Sequence, residues 1–349
     1  MKPCVESRLF GELANGEPVM EFTLDNGQGM LLSVLDYGCI IRSWRVLPRH
    51  GPPVDFVLGF DSLPEYERDT AYVGALVGRF ANRIAAGRYE SDGRTVQLTR
   101  NEGEHHLHGG HRGFHKHCWQ AHASSDRELA RVSLCRLSRD GEEGYPGNLL
   151  VMVTYELTAS GELRCRYQAG CDQPTPVSIS QHSYFNLAGE GDILGHELCV
   201  DAAHYLPVDA ALLPAGTLQP VAGSAFDFRL KRRIGSALTD GDPQLVLARG
   251  FDHNFVLARG PGPQAALTDP ASGRRMDIYT DCPGLQFYSG NYLDGSLGGK
   301  GRDFTRHAGL CLEPQQFPDA PNQPAFPDAI CRPGLPYSAS TRYVIDRWR

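Results

Sequence analysis

Glu313 closes the apolar run Gly309-Leu310-Cys311-Leu312 and stands directly before Pro314. The proline disfavours helix at Glu313 and holds it extended. A carboxylate at the end of a buried strand must be paired, hydrogen-bonded or raised in pKa. Such a group is a natural general base, although a structural salt bridge would leave the same trace in the sequence. His182 lies in Gln181-His182-Ser183-Tyr184-Phe185-Asn186-Leu187-Ala188-Gly189, just after the alternating run Pro176-Val177-Ser178-Ile179-Ser180. That places it near a strand end, beside aromatics that exclude water. A proton carrier and a hydrogen-bonded structural histidine fit this position equally well.

Four further segments hold polar groups between glycines or large hydrophobes. In Gly78-Arg79-Phe80-Ala81-Asn82-Arg83-Ile84-Ala85-Ala86-Gly87, Asn82 and Arg83 make an adjacent donor array suited to hydroxyl or carboxylate oxygens. Read alone, the same stretch is a surface loop with an exposed arginine. Six of the thirteen histidines fall between His105 and His117. The spacing HHLHGGH matches no standard zinc pattern, so no metal is expected there, and loop histidines of this kind are often simply solvated. His108 differs from its neighbours because Gly109 and Gly110 follow it, letting the chain turn tightly and aim the ring inward. Phe251-Asp252-His253-Asn254-Phe255 brackets a polar trio with hydrophobes, and its plain reading is a turn capped by Asp252. Gln286 sits in Gly284-Leu285-Gln286-Phe287-Tyr288-Ser289-Gly290-Asn291, a strand entering a loop.

The elements that must position these groups are short strands. Gly (39) and Pro (24) punctuate the 349 residues, and period-two runs lie between them. The pattern predicts a hairpin from 149–157 and 161–170 about Ala159-Ser160-Gly161. It predicts further strands over 20–34, 38–47, 94–99, 130–137, 196–201, 275–280, 284–289, 308–313 and 341–347. Helix signals are confined to 62–67 and 233–240. Strand following strand argues against an alternating α/β architecture. The expectation is an all-β chain folded as a single large antiparallel β-sandwich, one domain over 1–349, with two β domains as the weaker alternative.

A hydrophobic share of 41% supports a sizeable core. The net charge of −7, with both signs interspersed and Lys231-Arg232-Arg233 the longest basic cluster, argues against nucleic acid as a partner. No stretch approaches the roughly 20 apolar residues of a membrane helix. The first residues meet charges at Glu6, Arg8 and Glu12, which is not the pattern of a secretory signal. Ten cysteines without a CxxC pair exclude zinc-ribbon and thioredoxin-type motifs on spacing and favour a cytoplasmic setting.

Taken together, GRFANRIAAGRY, NEGEHHLHGGHRGF, QHSYFNLAG, FDHNF, PGLQFYSGNYL and CLEPQQFPDAPNQPAFPDAICRPG resemble the aldose 1-epimerase (mutarotase) family, in its order, from about residue 75 to 335. The resemblance implies a galactose mutarotase-like supersandwich that interconverts the α and β anomers of free aldohexoses. It implies His182 as general acid, Glu313 as general base and His108 as a hydrogen-bond donor to the ring oxygen or a hydroxyl. Asn82, Arg83, Asp252 and Gln286 would hold the sugar hydroxyls. Some relatives carry Asn where Gln181 stands, a change that keeps the side-chain amide. No cofactor and no metal are implied. The expected partner is a small sugar alone, with the chain a monomer or weak dimer. Three rival readings share the residues: an epimerase for a pentose or a hexose 6-phosphate, a non-catalytic sugar-binding protein, and a glycoside hydrolase using Asp252 and Glu313.

Overall fold

A computed structural model describes residues 1–47, 51–91 and 93–346. Its largest sheet has nine strands. Gln120–Ser125, Leu129–Ser138, Leu149–Thr158 and Glu162–Cys171 run as an antiparallel meander. Tyr337–Ile345 then pairs with Glu162–Cys171, and Arg274–Thr280, Ala265–Asp269, Glu197–Val200 and Arg232–Arg233 complete the order. A six-stranded sheet runs Tyr184–Phe185, Leu310–Gln315, Gly284–Tyr288, Asp252–Leu257, Ala202–Tyr205, Gln219–Pro220. The N-terminal residues form a five-stranded sheet from Cys4–Glu12 to Val54–Asp55.

Alternation explains how the sheets stack. Val151, Val153, Tyr155 and Tyr167 of the nine-stranded sheet, Phe255, Leu285, Phe287 and Leu312 of the six-stranded sheet, and Leu24, Leu32 and Trp44 of the N-terminal sheet share one buried apolar cluster. Burying such side chains is worth about 1.5–3 kcal/mol each. The exposed faces of Leu149–Thr158 and Glu162–Cys171 alternate with the buried ones, as a half-buried antiparallel pair requires.

The expected hairpin is present, with Gly161 at φ +90° in its turn. Helices occur at Leu63–Arg68, where the Glu65 carboxylate accepts from the Ser62 N–H at 2.8 Å, and at Ile234–Leu238. Three expectations need correction. The run 20–34 is two strands, Pro18–Asp25 and Met30–Leu35, because the Asn26 Oδ1 accepts from Gln28 N and Met30 N and folds the chain back. The strand placed at 308–313 continues to Gln315, with Pro314 paired to Leu285, so Glu313 lies inside it and not at its end. A third helix, Pro243–Leu247, went unread although Asp242 caps it and Pro243 occupies its first turn. The last residue of the strand expected over 341–347 lies outside the described residues.

Candidate active site

The six-stranded sheet turns one face to the core and the other to a cavity. Because side chains alternate, Leu310 and Leu312 enter the core while Cys311 and Glu313 face away from it. Register then aligns two polar rows across the sheet: Asn254, Gln286 and Glu313 in one, and Asp252, Tyr288, Cys311 and Tyr184 in the next. A cavity of about 360 Å³ opens over this face. Asn82, Arg83, His108, His182, Asp252 and Glu313 all line it.

His182 ends the short strand Ser180–His182, paired with Ala75–Val77, and the Gly74 N–H donates to its carbonyl at 3.1 Å. Its Nε2 stands 3.9 Å from Glu313 Oε1, and its Nδ1 lies 3.5 Å from the Cys311 sulfur. Asn82, Arg83 and His108 are brought together by the pairing of Arg83–Ile84 with His106–Leu107. The Asn82 N–H donates to His108 Nδ1 at 3.1 Å, while the His108 N–H donates to the Asn82 carbonyl at 3.0 Å. A neutral His108 that accepts at Nδ1 carries its proton on Nε2 and is a donor there. Both Asn82 and His108 have positive φ, +65° and +50°. Gly109 makes the turn possible: a Cβ there would lie 1.8 Å from the Gly78 carbonyl oxygen.

Arg83 is fixed by a bidentate pair with Glu102, both contacts 2.6 Å. The segment after Glu313 returns to brace the same loop, since Asp319 accepts from Ala85 N at 2.9 Å and donates its N–H to the Arg83 carbonyl at 2.8 Å. Gln286 is placed differently from the other six. It is not among the cavity-lining residues although it shares a sheet face with Glu313, and its Nε2 donates to Asp252 Oδ1 at 2.7 Å.

Burial sets the charges. It lowers His182 to about 4. His108 is pushed well below the usual histidine value by burial, then by His182 and Arg83. Glu313 is pushed well above the carboxylate range by burial and by the nearby Asp252, with Arg83 opposing. Asp252 is raised by burial, partly offset by Arg83 and Gln286. Burial thus favours the neutral form of each group, a protonated Glu313 beside a neutral His182.

Among the described residues, His108, His182 and Glu313 each offer one donor atom, all within 4.8 Å of one another, a trio that could hold a metal ion. The 3.9 Å separation of His182 and Glu313 exceeds the spacing of about 3.4 Å between donors around tetrahedral zinc.

Several sequence readings change with these positions. Arg79 is not an exposed arginine. It is 1% exposed and donates to Ser138, Arg139, Pro146, Gly147 and Thr175. Of the remaining loop histidines, His111 is exposed as expected, but His106 is buried with its ring bonded to the Thr99 carbonyl and the Tyr145 hydroxyl, and His115 is buried against Tyr72. Asp252 is no turn cap; it begins the strand Asp252–Leu257. The cavity also draws in Tyr72, Glu102, Tyr288, Tyr292 and Asp294. Glu102 lies in a motif singled out above, whereas nothing in Thr70-Ala71-Tyr72-Val73 marks a site residue.

The sequence and the fold have close counterparts. The aldose 1-epimerase family profile matches residues 20–344. Galactose mutarotase of Rattus norvegicus is 45% identical over 343 residues, 97% of each chain. Aldose 1-epimerase of Escherichia coli is 40% identical over 336 residues, 94% of this chain and 96% of that one. Galactose 1-epimerase of Lactobacillus acidophilus superposes with a TM-score of 0.90 at 31% identity, covering 99% of this chain and all of that one. With a family match spanning most of its length and relatives at these identities, the chain belongs to the aldose 1-epimerase family.

Proposed function

We propose that the chain interconverts the α and β anomers of free aldohexoses, with His182 and Glu313 as its proton-handling pair. The carrying observation is their placement: two buried titratable groups 3.9 Å apart on the wall of a cavity sized for a small ligand. Opening a cyclic aldose requires a proton delivered to the ring oxygen while another leaves the C1 hydroxyl. With the pair's single proton on His182, Glu313 takes the C1 proton as His182 protonates the ring oxygen. The ring bond breaks, C1 becomes a carbonyl, and the proton now rests on Glu313. Rotation about C1–C2 and the reverse transfers close the ring to the other anomer. The arrangement after opening, protonated Glu313 and neutral His182, is the one that burial favours. Ring closure returns the proton to His182, so a full cycle restores the starting pair. His108 Nε2–H supplies a neutral donor to a sugar oxygen, while Asn82, Arg83 and Asp252 hold hydroxyls. Gln286 serves by orienting Asp252.

An uncharged sugar suits this cavity better than a phosphorylated one. Beside His108, His182 and Glu313, its lining carries three further carboxyl residues (Glu102, Asp252 and Asp294) against Arg83 alone, and Arg83 is already engaged by Glu102. A dianionic phosphate would meet repulsion without converging arginines.

The whole chain over 1–349 is read as one domain, supported by a core cluster drawn from all three large sheets. No described helix is long and apolar enough to cross a membrane. We place the protein in the cytoplasm, supported by ten free cysteines, and as a monomer or weak dimer that works without nucleic acid or cofactor.

Polarimetry on fresh α-D-glucose and α-D-galactose, with glucose 6-phosphate in parallel, tests the proposal. Wild-type protein should accelerate anomerisation of the free sugars. Glu313→Gln and His182→Ala should each lose about 10²–10⁴-fold of the rate while sugar binding partly survives. Near-normal rates in both variants would sink the assignment.

A further inference from the structure

We infer that Tyr72 is a positioning residue for the two cavity histidines, its ring wedged against His108 and His182 by a backbone turn that the surrounding chain holds in a strained conformation. This rests on the function proposed above and goes beyond it, because Tyr72 belongs to none of the motifs that carry the family resemblance.

The ring geometry comes first. Tyr72 lines the cavity, with its ring centroid 4.6 Å from that of His108, 4.8 Å from His115 and 5.8 Å from His182. The His108 and His115 contacts are edge-on, at interplanar angles of 60° and 65°, the geometry aromatic rings prefer. His108 and His182 are themselves edge-on at 5.3 Å. One phenol ring therefore packs against both histidines from which the proposed chemistry draws a proton or a hydrogen bond.

The backbone is the second observation. Tyr72 has φ +57°, a conformation that costs a bulky residue free energy and suits glycine. Its neighbours pin it. The Asp69 carboxylate accepts from Ala71 N at 2.8 Å and from Val73 N at 2.7 Å, one on each side of the strained residue. The Lys116 ammonium donates to the carbonyls of Tyr66, Glu67 and Asp69, tying the start of this turn to the end of the helix Leu63–Arg68. The Tyr184 hydroxyl donates to the Ala71 carbonyl, and the Ala75 N–H donates to that of Tyr72. An aromatic residue held where glycine would be easier, among rings it fits, is strain tied to a site. Asn82 and His108, also at positive φ, line the same cavity.

The test separates ring, hydroxyl and backbone. Tyr72→Gly removes the ring and relieves the turn, Tyr72→Leu keeps an apolar bulk without a ring, and Tyr72→Phe keeps the ring alone. For anomerisation of a free aldose, kcat should fall about tenfold or more in Tyr72→Gly and Tyr72→Leu with KM little changed. Tyr72→Phe should restore it, and the melting temperature of Tyr72→Gly should not fall in proportion. Wild-type kcat in the folded Gly or Leu variant, or a Phe variant as impaired as the Gly variant, would overturn the inference. Wild-type protein that anomerises no sugar would instead overturn the functional reading, so the two failures are distinguishable.

Discussion

The Nε2 of His182 and the Oε1 of Glu313 are 3.9 Å apart, beyond direct hydrogen-bond reach, and the Glu313 Oε2 is buried without a hydrogen-bond partner. Neither group neutralises the other, so both remain available to a hydroxyl or ring oxygen placed between them. A structural salt bridge, the plain alternative from sequence, would have closed this gap. Two groups that pass one proton through a substrate act as a unit, and losses in such a unit do not add. His182→Ala combined with Glu313→Gln should therefore be little slower than the worse single variant. Progress curves of anomerisation for the three variants check this. A double variant slower by the product of the two single losses would mean that the residues act separately.

The same closeness raises the matter of metals. His108, His182 and Glu313 converge within 4.8 Å, yet the proposed chemistry needs only protons. Dialysis against a strong chelator should leave the rate of wild-type protein unchanged. Added Zn²⁺ should not raise it, because the 3.9 Å gap between His182 and Glu313 is wider than the donor spacing of tetrahedral zinc. Loss of activity on chelation, restored by a divalent cation, would contradict the metal-free scheme.

Arg83 meets Glu102 through two parallel contacts of 2.6 Å, which aim its guanidinium plane as well as its charge. A lysine would keep the charge and lose the fork. Arg83→Lys should raise KM about tenfold with a smaller effect on kcat, the signature of lost uniform binding. Glu102→Gln should move KM the same way by less, because it loosens the arginine without removing it. Initial rates over a range of sugar concentrations give both parameters. A kcat loss with KM unchanged would place Arg83 in the chemical step.

How much of this was legible in the sequence depended on how local the information was. The hairpin at Leu149–Thr158 and Glu162–Cys171 was readable because alternation and its turn residues sit within about twenty positions. Asn82, Arg83 and His108 were readable as candidates because glycines beside them announce tight turns. The positions of Gln286 and Tyr72 were not readable. Gln286 is brought to Asp252 by the register between Gly284–Tyr288 and Asp252–Leu257, which no local pattern encodes. Tyr72 reaches the site through partners from Tyr66 to His182, and its strained φ leaves no mark in residue type. Pro314 misled in the other direction: a proline reads as a strand end, yet the strand runs through it to Gln315.

Arg79 and Arg83 share one motif but have different work. The six hydrogen bonds of Arg79 reach Ser138, Arg139, Pro146, Gly147 and Thr175, tying the loop to the nine-stranded sheet. Arg79→Met would leave those acceptors buried and unpaired. It should destabilise the fold by at least about 3 kcal/mol in denaturant unfolding. Activity per folded molecule should stay near wild type. A variant of normal stability with raised KM would instead make Arg79 a sugar ligand.

The shifted groups also predict how stability depends on pH. Burial holds His182 at about 4 against 6.5 in the unfolded chain. The unfolded state therefore binds the extra proton first, and stability is lost as pH falls from 6.5 through about 4, by about 3 kcal/mol in full. Glu313 has the opposite sign. Burial and Asp252 raise its folded pKa, so the unfolded state ionises first and stability is lost as pH rises from the ordinary carboxylate value to the raised one. Glu313→Gln removes that loss. It should melt above wild type at neutral pH, with the advantage shrinking as pH falls toward the ordinary carboxylate range, where both chains carry a neutral group. His182→Asn should show the complementary pattern, gaining most on the acid side. Melting temperatures across pH 4–8 for the three proteins check both signs. A Glu313→Gln variant less stable than wild type throughout would mean that the carboxylate is paired in the fold and contributes to holding it together.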